Sequence, residues 1–355
     1  MKKTKKHNKF IKIIILLIEI SLLAGMGFFL FKVFGIGKTQ EINQPNIITL
    51  DRESLSIAPE IQDDPILKGY WNIALLGVDA KTHEQLFKGS RSDSIMIASI
   101  NLDTGDVRLV SVYRDTLLNI GDDTYQKCNN AYSYGGAEQT ISMLNANLDL
   151  DIEDFVAVGY GALSKAIDGL GGVWVDVDSA ELKHINNYQI SISEVLDTDY
   201  TKVKKTGYQL LNGLQATAYC RIRHTTGNDF MRTMRQREVL KSMEEQVKEA
   251  DLSTLLDTFE AVVGDVYTSL GHEEVITLLS QIANYSIDKD EGFPREDLRT
   301  TANAGKLGSV VIPLDLEENV LWLHEFLFED PTYEVSRQVH EFSVKIEDKV
   351  DPYIK

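Results

Sequence analysis

The sequence predicts an α/β domain with a mixed central β-sheet flanked by helices, placed behind one N-terminal transmembrane helix. Three observations lead to this class. Short apolar runs typical of buried strands alternate along the chain with segments of helical periodicity. Two such runs, 94–102 and 107–115, are separated by a Thr-Gly turn and predict a hairpin. Residues 13–31 form an apolar run long enough to span a bilayer.

The amino-terminal segment predicts a signal anchor. Residues 1–12 hold six lysines and form a cytoplasmic basic tail by the positive-inside rule. Residues 13–35 follow as the anchor, and residues 13–31 are apolar apart from Glu19 and Ser21. A cleavable signal peptide is the rival interpretation, but its apolar core would be shorter, about 7–15 residues. The pattern therefore predicts a single-pass protein of the cell membrane whose remaining chain lies outside the cell.

Three further segments follow the anchor. Residues 36–70 are polar, contain three prolines and predict an extracellular tether. The main domain is expected over residues 71–330. Residues 331–355 are expected to form a loose acidic tail.

Charged residues recur where the first predicted strands begin or end. The strand Trp71 to Asp79 closes on an acid, and the hairpin closes on Arg114 and Asp115. Arg91 and Asp93 precede the first arm of that hairpin. Each alone is most simply a surface charge. Charges of both signs at several strand ends instead indicate a functional edge of the sheet.

The middle of the domain continues the alternation of helices and strands. A long polar excursion at 179–206 is typical of a lid or binding loop. Asn212 is expected to cap a short helix that runs toward Tyr219, after which an extended segment would point Arg221 and Arg223 the same way. The other expected elements are a helix to about 147, a strand at 155–159, a helix at 162–169, a strand at 173–177, helices over 238–284, a strand at 308–314 and a helix at 317–328.

The stretch from Ala218 to Glu238 concentrates five arginines in an otherwise acidic protein. A helix is predicted from Asp229, with Asn228 or Asp229 as its N-cap. Arg232, Arg235 and Gln236 would lie on one face of it. Cations in the first turns of a helix oppose its dipole, so an anion is expected to neutralise them. The planar guanidinium fork suits phosphate. A solvated basic face with local acidic partners is the alternative.

Charge and cysteine content exclude other classes of protein. The formal net charge is −18, and the lysine-rich amino terminus makes the rest of the chain more acidic still. A body of that charge is a poor nucleic-acid binder, so no nucleic-acid partner is expected. The two cysteines, Cys128 and Cys220, form neither a disulfide framework nor a zinc site. Two buried thiols are favoured over one disulfide.

Seven motifs in this order resemble the LytR-CpsA-Psr family. They are LLGVD at 75–79, RSDS at 91–94, SVYRDT at 111–116, KCNNAYSYGG at 127–136, IDGLGGVWVDV at 167–177, LNGLQATAYCRIR at 211–223 and DFMRTMRQR at 229–237. The resemblance implies a membrane-anchored phosphotransferase acting outside the cell. Its donor would be a glycopolymer linked to polyprenyl pyrophosphate, and its acceptor would be peptidoglycan. It also implies Mg²⁺ as cofactor and an apolar tunnel for the lipid.

The resemblance also assigns residues to roles. Asp79 and Asp93 match the magnesium-binding acids. Arg114 and Asp115 close the catalytic motif, and either Asp115 or Asp93 would accept the proton of the acceptor hydroxyl. The residues that match the pyrophosphate-binding set are Arg91, Arg114, Arg221, Arg223, Arg232 and Gln236. Two positions depart from the family pattern, Tyr113 in place of proline and Asn130 in place of a small residue or histidine.

Other functions remain open at this stage. The same site would also suit hydrolysis of the pyrophosphate linkage. A non-enzymatic module that only binds the lipid pyrophosphate or the wall needs the arginines but not the paired acids Asp79 and Asp93. A transcriptional regulator is disfavoured by the predicted topology and the acidic charge. The identity of the polymer, whether teichoic acid, capsule or another glycan, is not encoded in these motifs.

Overall fold

The computed structural model describes residues 46–80, 84–223, 228–282 and 284–354. Over these residues the strands are β1 (Asn46–Ile47), β2 (Tyr70–Val78), β3 (Ser92–Asn101), β4 (Asp106–Val112), β5 (Leu117–Asn119), β6 (Tyr125–Lys127), β7 (Asp154–Val158), β8 (Val173–Val177), β9 (Gly207–Leu211), β10 (Val266–Thr268), β11 (Ser286–Phe293), β12 (Arg299–Asn303) and β13 (Ser309–Pro313). The helices are α1 (Asn130–Leu148), α2 (Tyr160–Gly169), α3 (Ser179–Leu196), α4 (Gly213–Tyr219), α5 (Asn228–Glu249), α6 (Leu252–Val262), α7 (His272–Gln281), α8 (Leu316–Phe328) and α9 (Arg337–Val350).

The central sheet is mixed, as the sequence predicts. Its strand order is β1-β10-β7-β2-β3-β4-β11. Strands β2, β3 and β4 are consecutive antiparallel neighbours, whereas β7 pairs parallel with β2 and β11 pairs parallel with β4. The hairpin turn between β3 and β4 depends on Gly105, whose φ of +79° is unfavourable for residues with a Cβ. This antiparallel core brings the end of β2, the start of β3 and the end of β4 to one edge of the sheet.

Both faces of the sheet are covered, which explains why its strands read as continuous apolar runs. In β2, Ala74 and Leu76 belong to the large core that includes α1, α8 and α9, while Ile73 packs in a smaller cluster with Leu240 of α5. A separate cluster joins β8 and β9 to helices α2, α3 and α4. The arginine-bearing helix α5 therefore lies between the sheet and this second helical layer.

The predicted tether over 36–70 is wrong for residues 46–70. Strand β1 pairs with β10 at the edge of the central sheet. Leu55, Ile61 and Leu67 are buried in the main core. These apolar residues have no helical or strand periodicity and are buried by tertiary contacts, so the domain begins well before residue 71.

The predicted loose tail over 331–355 is also wrong. Residues 337–350 form helix α9, which Ser336 caps by accepting the N–H of Val339. Val339, Ile346 and Val350 are buried in the main core. Their spacing of seven and four residues is a helical stripe.

Two local predictions in the middle of the chain need correction. The polar excursion at 179–206 is not a loop but largely helix α3, which begins with a capping box between Asp178 and Glu181. Residues after Tyr219 form a turn and not an extended strand. By contrast, Asn212 caps α4 as predicted, and β13 and α8 lie where the sequence places a strand and a helix.

The predicted transmembrane anchor at 13–35 lies outside the described residues. Within the described ranges, no helix has both the length and the apolar character needed to cross a bilayer. Cys128 and Cys220 are free and buried, which confirms the expectation of two buried thiols.

Candidate functional site

The candidate site lies where the sheet edge meets the start of α5. Asp79 follows β2, Asp93 is the second residue of β3, and Arg114 follows β4. Register pairs Gly77 with Ser94, so the two acids stand on adjacent strands at the same edge. The sequence prediction of a charged sheet edge is confirmed for these three residues.

The carboxylate of Asp93 is the hub of this edge. It accepts hydrogen bonds from Nη1 of Arg114 at 2.8 Å and from Nη2 of Arg223 at 2.6 Å. Burial opposes ionisation of Asp93, but the guanidinium groups of Arg114, Arg223 and Arg232 outweigh it and hold its pKa below the usual range. The lowered pKa favours the anionic form of Asp93, which holds two arginines in place.

Arg232 is the most buried arginine of the site, with 1% of its surface exposed. Its Nη2 donates to the backbone oxygen of Asp93 at 2.8 Å and lies 3.0 Å from Oδ1 of Asp229. In the described part of the chain, its Nε and Nη1 are buried without a hydrogen-bond partner. Burial lowers the pKa of Arg232 to about 10, with repulsion from Arg114 and Arg223 adding to the shift. Two unmet donors on a buried cation are costly unless an anion binds them.

An apolar cavity of about 290 Å³ opens beside Arg232. Its walls come from β2, β7, α2 and α5, with aliphatic side chains such as Leu75, Val156 and Leu163. Its polar residues are Asp93, Ser94, Thr217, Arg221, Arg223, Arg232 and Gln236, together with Tyr160 and Cys220. A cavity of this kind suits a ligand with an apolar body and an anionic head.

Arg221 is held by aromatic rings. Its guanidinium lies 4.3 Å from the ring centre of Tyr160 and 5.7 Å from that of Tyr188. The Tyr160 hydroxyl donates to Oδ1 of Asp79 at 2.7 Å. Burial raises the pKa of Tyr160, so this hydroxyl keeps its proton. Tyr160 thus links Asp79, through its hydroxyl, to Arg221, through its ring.

The other two arginines of α5 point away from the cavity. Nε of Arg235 donates to Oε1 of Glu181 at 2.6 Å, and Nε of Arg237 donates to Oδ2 of Asp290 at 2.7 Å. The expectation that Arg232, Arg235 and Gln236 act on one face is therefore wrong for Arg235. Arg237 is 6% exposed and salt-bridged, not a free surface residue.

Two more predicted residues, Asp115 and Arg91, do not line the cavity. Oδ1 of Asp115 is 3.2 Å from Nζ of Lys127, and its Oδ2 is 3.9 Å from Nε of Arg114. The side chain of Arg91 is exposed and does not line the cavity; its backbone oxygen accepts the N–H of Asp79. Of the residues predicted to bind pyrophosphate, the structure brings all except Arg91 together around the cavity and Asp93.

The two acids have the donor chemistry that Mg²⁺ requires. Mg²⁺ takes oxygen ligands, commonly one or two carboxylates completed by phosphate oxygens and water. The lowered pKa of Asp93 favours its carboxylate form, and Asp79 adds a second acid at the same edge. The described residues contain no group of three or more His, Cys, Asp or Glu arranged to hold a metal. This set therefore fits an ion that takes most of its ligands from a bound phosphate and water.

Sequence reasoning missed several residues of the site. Asp229 was expected only as a helix cap, yet its carboxylate lies between Arg232 and Arg114, 3.4 Å from Nε of the latter. Tyr160 and Lys127 were not singled out. Tyr160 directly follows the turn after β7, and a polar residue at a strand end was the available signal.

Comparisons with known proteins agree with this fold. A model of the LytR_cpsA_psr family matches residues 34–298. An uncharacterised protein of Staphylococcus aureus is 31% identical over 198 residues, which is 54% of this chain and 46% of that protein. The polyisoprenyl-teichoic acid–peptidoglycan teichoic acid transferase TagU of Halalkalibacterium halodurans is 30% identical over 210 residues, 58% of this chain and 61% of that protein. The matches thus span about half of the first relative and three-fifths of the second.

Solved structures share the architecture. TagT bound to LI-WTA aligns with a TM-score of 0.57 at 21% identity, covering 86% of this chain and 99% of that one. TagT with bound octaprenyl pyrophosphate lipid aligns with a TM-score of 0.54 at 19% identity, with the same coverage of 86% and 99%. At these identities the likeness concerns the fold.

Proposed function

The chain belongs to the LytR_cpsA_psr family, and from that premise we propose that it transfers a glycopolymer from a polyprenyl-pyrophosphate lipid onto peptidoglycan. One observation carries the proposal: the polar end of an apolar cavity holds the buried Arg232, whose Nε and Nη1 have no hydrogen-bond partner in the part of the chain that the structure describes. The polyprenyl chain would occupy the cavity. The pyrophosphate would meet Arg221, Arg223, Arg232 and Gln236 at its polar end.

The reaction is a phosphoryl transfer in which positioning and charge neutralisation do most of the work. The oxygen of a peptidoglycan hydroxyl attacks the sugar-bearing phosphorus. The bond from that phosphorus to the bridging oxygen breaks, and polyprenyl phosphate leaves with the bridging oxygen. Arg223 and Arg232 face the charge that gathers on this leaving group. Asp93 and Asp229 hold these arginines in place before the substrate arrives.

Asp115 is the better of the two acids for accepting the acceptor proton. Both oxygens of Asp93 already accept from guanidinium groups, and its lowered pKa makes it a weak base. Among the described residues, the ion-pair partners of the Asp115 carboxylate are Nζ of Lys127 at 3.2 Å and Nε of Arg114 at 3.9 Å, so one of its oxygens has no close cation. We therefore assign the base to Asp115 and the positioning of Arg114 and Arg223 to Asp93.

Mg²⁺ is proposed as cofactor. Asp79 and Asp93 would hold it, and when bound it would neutralise charge on the pyrophosphate. Tyr160 fixes the orientation of the Asp79 carboxylate by its 2.7 Å hydrogen bond. The double variant Asp79→Asn/Asp93→Asn should lose Mg²⁺-stimulated transfer while it remains folded. A variant with full EDTA-sensitive activity would contradict this assignment.

We propose that the protein acts outside the cell, anchored in the cell membrane by residues 13–35. The six lysines before the apolar run support this orientation. Protease added to wall-stripped intact cells should digest the main domain and leave an anchored stub. A protected domain, or a mature chain that begins near residue 27, would contradict the topology.

Turnover separates the transferase from its two alternatives. The purified chain is incubated with a lipid-linked sugar pyrophosphate, Mg²⁺ and peptidoglycan, and the released lipid is measured. Transfer predicts polyprenyl monophosphate only when the acceptor is present, with a new phosphodiester on the glycan. Release without acceptor would indicate a hydrolase. Tight binding without release would indicate a binding module.

A further inference from the structure

A second concave surface lies beside the apolar cavity and has different chemistry. This side cleft, about 590 Å³, is bounded by α2, the carboxyl end of α3 and the 3₁₀ turn Val263–Asp265 before β10. Tyr160 is a wall of both spaces. Any group attached to a pyrophosphate at Arg221 would therefore need only to pass the Tyr160 ring to enter the side cleft.

The lining of the side cleft is suited to hydroxyl groups. It includes Ser164, Lys165, Asp168, Asp197 and Thr198 against an apolar backing. Ser164 is 7% exposed, and its hydroxyl has no hydrogen-bond partner among the described residues. A buried polar group that faces an open cleft without a partner is expected to meet a ligand or water there.

The polar groups of the side cleft stand on a rigid frame. Oδ1 of Asp168 accepts the N–H of Gly213 at 2.7 Å. A Cβ on Gly213 would lie 1.9 Å from the backbone oxygen of Ser164, so α4 packs directly on α2 at this point. Asp197 is the C-cap of α3, where its backbone N–H donates to the backbone oxygen of Ser193. The donors and acceptors are thus held before a ligand binds.

Charge narrows the class of ligand. Three carboxylates, those of Asp168, Asp197 and Asp265, face one ammonium group, that of Lys165. The Lys165 ammonium already pairs with Asp265 at 2.6 Å. A net acidic wall repels phosphate-rich polymer but accepts hydrogen bonds from uncharged sugars.

We propose that the side cleft binds the uncharged sugar residues that adjoin the transferred phosphate. This inference rests on the proposed transferase function and names the ligand of a second subsite. The sugars have two sources, the first residues of the lipid-linked donor or the glycan of the peptidoglycan acceptor. Both present the same hydroxyl-rich pyranose rings to the cleft.

The test fills the side cleft without touching the apolar cavity. Thr198→Trp places an indole in the cleft, and Asp199→Trp adds the same group at the next exposed position outside it. Ser164→Ala removes only the unpartnered hydroxyl. Equilibrium affinities are measured for polyprenyl pyrophosphate without sugar, for the same lipid bearing an N-acetylhexosamine disaccharide, and for a soluble peptidoglycan glycan fragment.

Thr198→Trp should leave the affinity for the sugar-free lipid within about twofold and weaken one sugar-bearing ligand about tenfold or more, the equivalent of a lost polar contact. Loss on the disaccharide lipid identifies the donor, and loss on the glycan fragment identifies the acceptor. The inference is overturned if neither ligand changes, if the sugar-free lipid weakens equally, or if Asp199→Trp behaves as Thr198→Trp does. Ser164→Ala should shift the same ligand in the same direction.

These binding measurements do not depend on turnover. A parent protein that binds sugars in the cleft but transfers nothing would refute the proposed function alone. A parent that transfers while all three variants bind normally would refute the sugar subsite alone.

Discussion

Arg232 offers the sharpest perturbation of the site because it is buried and only half satisfied. We choose Arg232→Met, which keeps the aliphatic stem and removes the guanidinium. Nη2 of Arg232 contacts Asp93 and Asp229, whereas Nε and Nη1 have no partner among the described residues. The two unmet donors are the ones available to a pyrophosphate.

The expected loss follows from those donors. A hydrogen bond to a charged group contributes roughly 1.5–3 kcal/mol, which corresponds to about 10- to 150-fold in Kd. Arg232→Met should weaken polyprenyl-pyrophosphate binding by that range. Arg232→Met removes a buried cation but leaves Asp229 with Arg114 as its remaining partner, so the free energy of unfolding should fall by about 1–3 kcal/mol at most. Arg232→Lys should rescue binding poorly, since it keeps the charge but loses the fork.

Arg237→Met is the matched control on the same helix. Arg237 is also buried, but it pairs with Asp290 instead of facing the cavity. Its loss leaves Asp290 with Lys241 alone and should cost about 1–3 kcal/mol of stability without changing lipid affinity. Lipid binding by fluorescence quenching and urea unfolding are measured on both variants. If Arg232→Met binds like the parent, or if both variants simply unfold, the site assignment is wrong.

Three further predictions concern the scaffold. Burial lowers the pKa of His324 to about 4. The unfolded state therefore binds more protons than the folded state between about pH 6.5 and 4, and the free energy of unfolding falls by up to about 3 kcal/mol as the pH drops through that window. His324→Gln should flatten this pH dependence in urea unfolding, and an unchanged dependence would contradict the prediction. Gly213→Ala would set a Cβ 1.9 Å from a backbone oxygen and should cost about 1–3 kcal/mol, whereas Gly69→Ala, with no atom within 4 Å, should be silent; equal thermal shifts would refute this packing. Deleting residues 337–355 removes the buried side chains of Val339, Ile346 and Val350, which contribute roughly 1.5–3 kcal/mol each. The Tm should therefore fall by several degrees, and an unchanged Tm would support the prediction of a loose tail.

The charged sheet edge was predictable because strand ends are encoded locally. The runs before Asp79 and Arg114 are long and apolar, and a hairpin turn fixes the direction of the strand between them. Register then determines which ends meet. The resemblance of the motifs supplied the roles of these residues, which spacing alone did not.

The partners of the arginines were not predictable from helical spacing. Spacing of three and four residues predicts a shared face, but Arg235 bends to Glu181, 54 positions away in sequence, and Arg237 to Asp290, 53 positions away. These ion pairs depend on which acidic side chain, distant in sequence, the tertiary fold places beside each arginine. The packed ends of the domain were missed for a similar reason, although the stripe of Val339, Ile346 and Val350 in α9 was a readable helical signal.

The ligand carried by the protein from its own membrane tests the central claim most directly. The full chain is extracted in a non-denaturing detergent, and the bound molecule is identified by mass. A site built from the apolar cavity and Arg232 predicts a polyprenyl-pyrophosphate lipid on the parent, and at most about a tenth of that amount on Arg232→Met. A parent that carries only fatty acid or phospholipid, or an Arg232→Met variant that retains the full amount of polyprenyl pyrophosphate, would contradict it.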